Sequence, residues 1–248
     1  MFEKHLEGLF VDIHTDFKWS SDLKQALSDL CIILGIKYTM PERYCSTRWL
    51  SIYDVTVDTL RLQDAFTLFY YSFLTALDRT TYQAVCVAIY HKYGLSAESR
   101  QAVRNIHTTL GQKKMTQDGR DRKGRITRAL FIESKYTVLL LHFYASVLPL
   151  LKKYILLFQR QEPLIHQLYD EQVKLTKEIL GCFIKPEHLA RVSGRGLKAI
   201  DIEECLMNKK DFFLGRKAEE MLASYSEKTH FIAKVKEAYV VLGQYLLK

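Results

Sequence analysis

Proline and glycine are scarce in this chain, four and eleven among 248 residues, so little interrupts the backbone and long regular elements are expected. The five cysteines, Cys31, Cys45, Cys86, Cys182 and Cys205, are scattered and odd in number. That argues against a disulfide framework and for a reducing compartment. No GxxxxGK[ST] loop is present to cradle a phosphate. The nearest glycine pairs, Gly119/Gly124 and Gly194/Gly196, are separated by charged residues and follow no strand. Zinc sites need closely spaced Cys or His pairs. Cys182 and His188 stand six apart with nothing compact to complete a set, and neither a metal nor a cofactor is expected. The most apolar run, VLLLHFYASVLPLL from Val138 to Leu151, is 14 residues long and carries His142 and Pro149. A bilayer span takes about 20 apolar residues, so this run reads as a buried helix and no membrane partner is expected. The N-terminal MFEKHLEGLF carries Glu3 and Glu7 and does not read as a signal peptide.

What the chain does contain is helical periodicity. Ser20/Ser21 offer a cap for a helix in which Leu23, Ala26, Leu27, Leu30 and Leu34 share spacings, with Gly35 as its stop. From Leu50 to Leu77 the apolar and aromatic positions predict one long helix or two kinked ones. A helix over Thr80–Lys92 should close at Gly94, and Ser96 with Glu98 opens another. The segment QKKMTQDGRDRKGRITR breaks the composition and reads as a loop. After it a long apolar helix is expected, which Pro149 should kink or divide. Pro163 precedes a further helix, KPEHLARVSGRGLKAIDIEE is loop-like, and the C-terminal stretch is helical again. No segment alternates cleanly enough for a strand. The fold class predicted is all-α.

Charge narrows the partners. The formal net charge is +8, which favours polyanions without specifying a fold. From Lys113 to Arg128 seven cations, Lys113, Lys114, Arg120, Arg122, Lys123, Arg125 and Arg128, face only Asp118 and Asp121, a local net of +5. Such a segment suits sequence-independent phosphate contacts; a solvated, flexible linker has the same composition. Arg191, Arg195 and Lys198 form a weaker patch. The acidic groups Asp54/Asp58 and Asp201, Glu203, Glu204 sit at helical spacings usual for solvated surface, not for convergence on a divalent ion. Tryptophan occurs only as Trp19 and Trp49, each after a positive charge. Trp49 behind Arg48 reads either as a bulky amphipathic core residue or as a stacking platform for an unpaired base.

The order DIHTDFKWSSDLKQALSDLC, then PERYCSTRWLSIYDV, then a long aromatic helix resembles hAT-superfamily transposases and their domesticated vertebrate derivatives. In that family a helical insertion interrupts an RNase H-like catalytic core, and an Arg-Trp pair, often after Thr, sits near the insertion's start. Here it is Thr47-Arg48-Trp49. The resemblance implies that Trp49 helps manage a distorted or flipped base, and that KVKEAYVVLGQYLLK ends the insertion, with remnants of the core at the two ends of the chain. It departs where the chemistry lies. The family's two upstream aspartates, its downstream glutamate, its Cys/Asp-x-x-His element, its zinc finger and its dimerisation segment are not found; Asp12 and His14 are only two apart. The implied organisation is an N-terminal helical segment over 1–40 and a helical insertion domain over 41–248 with a basic loop at 113–128. The implied function is a non-enzymatic, DNA- or protein-binding remnant of a hAT-like transposase, in the nucleus or otherwise the cytoplasm. Its partners are DNA, other proteins, or full-length hAT-like proteins, and its contacts to nucleic acid are Arg48, Trp49 and the seven cations of the basic segment. The alternative is a helical protein-interaction scaffold with no nucleic-acid role.

Overall fold

The computed structural model describes residues 4–45, 49–159, 165–190 and 192–247, with Trp49 and Leu50 described in backbone alone. The described residues are helical: eleven α-helices and short 3-10 or π turns, with no β-strand among them. The described residues group into two compact units, one of residues 4–45 and 54–138, the other of residues 49–53, 139–159, 165–190 and 192–247.

The first unit opens with α1 (Lys4–Lys18) and α2 (Ser21–Leu34). Ser20 accepts from the Leu23 N–H, and Gly35 ends α2 at φ 65°, the left-handed conformation a glycine adopts without steric cost. Next come α3 (Trp49–Tyr71), of which Trp49–Tyr53 group with the second unit, α4 (Ala76–Lys92), α5 (Ala97–Gly111) and α6 (Gln117–Thr127). Leu62, Ala65, Phe66, Leu68, Phe69 and Tyr70 are all buried, so α3 is apolar around most of its circumference, as a central helix must be. Phe17 of α1 meets Phe66, Phe69 and Tyr70 with ring centroids 6.3, 4.9 and 6.4 Å away, and each such side chain contributes roughly 1.5–3 kcal/mol by leaving water.

The long apolar run therefore breaks into two helices after Tyr71. Thr75 caps α4 by accepting from the Asp78 N–H at 3.1 Å, and Arg79 folds back to donate to the Ser72 and Leu74 carbonyls left open at the end of α3. Beside this turn, Ser72 Oγ and His107 Nε2 are buried with no hydrogen-bond partner among the described residues. Burial lowers the His107 pKa to about 4, with the Arg79 charge adding to the effect and a backbone hydrogen bond at Leu68 opposing it.

The second unit takes most of α7 (Ser134–Phe158), then α8 (Leu168–Leu180), α9 (Pro186–Ala190), α10 (Arg216–Leu222) and α11 (Lys228–Leu246). Pro149 lies inside α7 and does not divide it; Val147, Leu148 and Leu151 are buried around it and hold the helix together. By length and composition α7 is the one described helix that could cross a membrane, yet Leu139, Leu140, Leu141, Phe143 and Tyr144 are buried within the protein. The core centres on Tyr239 of α11, stacked on Phe183 at 4.9 Å and edge-on to Phe143 at 5.4 Å; its hydroxyl donates to the Phe213 carbonyl at 2.7 Å. Gly215 precedes α10 at φ 85°, and a Cβ there would lie 2.0 Å from Ser146 Oγ. The stretch expected as a loop around residues 185–204 holds α9 and a 3-10 turn at Gly196–Ala199; Arg191 lies outside the described residues.

Candidate functional site

The basic segment is not the mobile loop its glycines suggest. Gln117–Thr127 is the helix α6, followed by a π-helical turn at Arg128–Ile132. Thr116 caps it, accepting from the Gly119 N–H at 3.2 Å. Pairs one turn apart support it: Gln117 with Asp121 at 2.7 Å and Asp118 with Arg122 at 2.9 Å. Gly119, Lys123 and Ile126 form its buried face, at the spacings of one helical stripe.

That face packs against α1, and α1 offers Asp12 and Asp16, also one turn apart. Asp16 is 1% exposed at its side chain and Lys123 is 8% exposed. The Asp16 carboxylate accepts from Arg122 Nε at 2.7 Å, Lys123 Nζ at 2.9 Å and the Tyr70 hydroxyl at 3.2 Å. Lys123 also lies 4.7 Å from the centre of the Phe73 ring, a cation–π contact in a desolvated place. Burial works against the Arg122 charge, but the hydrogen bond and charge of Asp16 outweigh it and raise its pKa. Burial, followed by the Asp16 charge, pushes the Tyr70 hydroxyl well above its ordinary pKa and keeps it a donor. Arg125 grips Asp12 with two N–H groups at 2.7 and 2.8 Å, and that hydrogen bonding is the main reason its own pKa rises.

Two further pairs complete the arrangement, Lys113 with Asp22 at 2.6 Å and Arg128 with Glu133 at 2.7 Å. Four carboxylates from outside the expected cationic set thus hold five of its seven cations, and the local net of +5 falls by four to +1. Arg120 is different: its guanidinium donates to Gln117 Oε1 and the Met115 carbonyl, both neutral oxygens. Lys114 is exposed. Arg48 lies outside the described residues, and Trp49 opens α3 with its side chain outside them too.

The acidic groups do not converge. Asp58 accepts from Thr39 at 2.8 and 3.0 Å and pairs with Arg61. Asp201 caps its own turn by accepting from the Glu203 and Glu204 N–H groups, and Glu203 pairs with Lys236 at 2.7 Å. Among the described residues no three His, Cys, Asp or Glu side chains are gathered in a way that could hold a metal ion.

Alongside α6 runs a groove of about 410 Å³, lined by Phe73, Leu74, Tyr82, Met115 and Ile132, with Arg120, Gly124 and Arg128 on the α6 side and Asp78 from α4. Periodicity alone gives no sign of it, because it forms where α6 passes the turn between α3 and α4. Compared with known proteins, the chain matches no family model, no curated protein and no solved structure.

Proposed function

We propose that this chain is a non-catalytic, helical protein-interaction scaffold, the binding remnant of a hAT-like transposase gene. Its transposon origin, its nuclear or cytoplasmic location and the division into a short N-terminal segment and an insertion domain are parts of the same proposal. One observation carries the preference for protein over DNA: five of the seven cations that would have met phosphates already pair with carboxylates of α1 and its neighbours. A helix that spends its charge on a buried aspartate has little left to release counterions from a duplex.

The test is fluorescence anisotropy with a labelled hairpin duplex across a salt series. The expected result is affinity in the ordinary non-specific range, a Kd of about 10⁻⁴–10⁻⁶ M at physiological salt, unchanged by the Lys114→Gln/Arg120→Gln double variant. Nanomolar binding that weakens when those two charges are removed would reject the scaffold reading in favour of DNA.

A further inference from the structure

The groove beside α6 has two features that its own packing does not explain. Gly124 stands inside a helix, where glycine costs about 1 kcal/mol relative to alanine, yet a Cβ built there meets nothing within 4 Å. Nothing in the unit requires that position to be bare. The second feature is Arg120, whose guanidinium is held in place by two neutral oxygens and keeps its whole charge at the groove's edge. A fixed guanidinium with no carboxylate in salt-bridge contact among the described residues is suited to receive one. The same groove is lined by the apolar side chains of Phe73, Leu74, Tyr82 and Ile132. Ile132 is 67% exposed, and the volume falls in the range of about 300–1,000 Å³ common for binding pockets.

We infer that this groove receives a segment of a partner protein carrying a large apolar side chain and, near it, a carboxylate. The apolar group covers Phe73, Leu74, Tyr82 and Ile132, its backbone passes close to Gly124, and the carboxylate pairs with Arg120. Charge favours a peptide over a single-stranded nucleic acid. Asp78 lines the groove and Glu133 leaves Arg128 with no net charge beside it; a phosphate chain needs several cations, whereas a single carboxylate needs only the Arg120 guanidinium. The inference rests on the protein-binding reading above.

The experiment is selection of a random peptide display library on the full chain, with recovered peptides measured by anisotropy against wild type, Gly124→Trp and Arg120→Glu. Both variants should fold, since position 124 opens onto empty space and Arg120 is exposed, and circular dichroism melts confirm it. Recovered peptides should pair an apolar anchor with an acidic residue and weaken on the order of tenfold or more on either variant. Replacing the peptide's acidic residue by lysine should restore binding to Arg120→Glu. Peptides that bind both variants as well as wild type overturn the groove and leave the scaffold reading standing. Failure to recover any peptide, combined with Arg120-dependent binding of an oligo(dT) probe, overturns both.

Discussion

The two units solve the same packing problem with opposite materials. In the second, Tyr239 is closed in by Phe183, Phe143 and Phe212, and the one polar atom it brings, its hydroxyl, finds a carbonyl. In the first, α6 is seated on α1 by a buried carboxylate shared between Arg122, Lys123 and Tyr70. An aromatic core is tolerant of register, since its attraction is non-directional. A buried ion cluster accepts only the arrangement in which every charge is matched, and it adds little net stability over a well-packed apolar substitute. Poor in apolar residues, α6 is placed by matching of charges rather than by the size of its apolar face.

Removing Asp16 should have the largest effect on how α6 is seated. Asp16→Ala leaves Arg122 and Lys123 without their buried counter-charge and should destabilise the protein by about 3–5 kcal/mol in a urea titration. Phe183→Ala in the second unit should cost a similar amount, about 3–5 kcal/mol, through a cavity. The two losses are distinguishable by rescue. Adding Lys123→Met to an Asp16→Leu chain should recover much of the first loss, because it removes the buried Lys123 charge together with that of Asp16 while Arg122 keeps Asp118. If the double variant is no more stable than Asp16→Ala alone, the buried pair is not what seats α6.

Acid should act next, through His107 of the first unit and also His142 of the second, whose pKa burial lowers as well. The His107 pKa in the fold is lowered to about 4 from 6.5, so the folded chain holds the neutral ring while the unfolded chain binds a proton. The contribution is fully present above pH 6.5 and is lost as pH falls from 6.5 toward 4. The whole loss is of the order of 3 kcal/mol, and the part between pH 6.5 and 5 precedes most carboxylate titration. Urea midpoints measured through that window should fall in the wild type and stay flatter in His107→Leu. Parallel slopes in the two proteins would mean that another group drives the acid response.

Much of the helical framework was legible in the sequence because its signals are local. Ser20, Ser96 and Gly35 mark ends that depend only on their own neighbours, and the apolar period does the rest. The all-α class follows from the same pattern. The basic segment was misread because its helix is not locally convincing: Gly119 and Gly124 lie within it, and its stabilising partner Asp16 is 106 residues from Arg122. One clue was available. Asp12 and Asp16 fall in the apolar stripe of α1 beside Leu9, Ile13 and Phe17, and a carboxylate on a buried face requires a cation from elsewhere. The groove was not legible at all, since it depends on how α6 passes the turn held by Arg79.

The smallest effect is expected within the first unit, at the other aspartate of α1. Arg125 is 58% exposed and its partner Asp12 is 12% exposed, so this pair has the same chemistry as the one at Asp16 but stands at the solvent's edge. Arg125→Gln should cost about 1 kcal/mol or less at low ionic strength, as exposed pairs do. Raising salt should shrink that difference, because mobile ions screen charges that water already reaches. The Lys123→Met penalty should change less over the same salt range, since Lys123 is only 8% exposed and its partner Asp16 1%. Equal salt sensitivity at the two positions would mean that water reaches Asp16 in solution, and that the charge cluster behaves as ordinary surface rather than as the seat of α6.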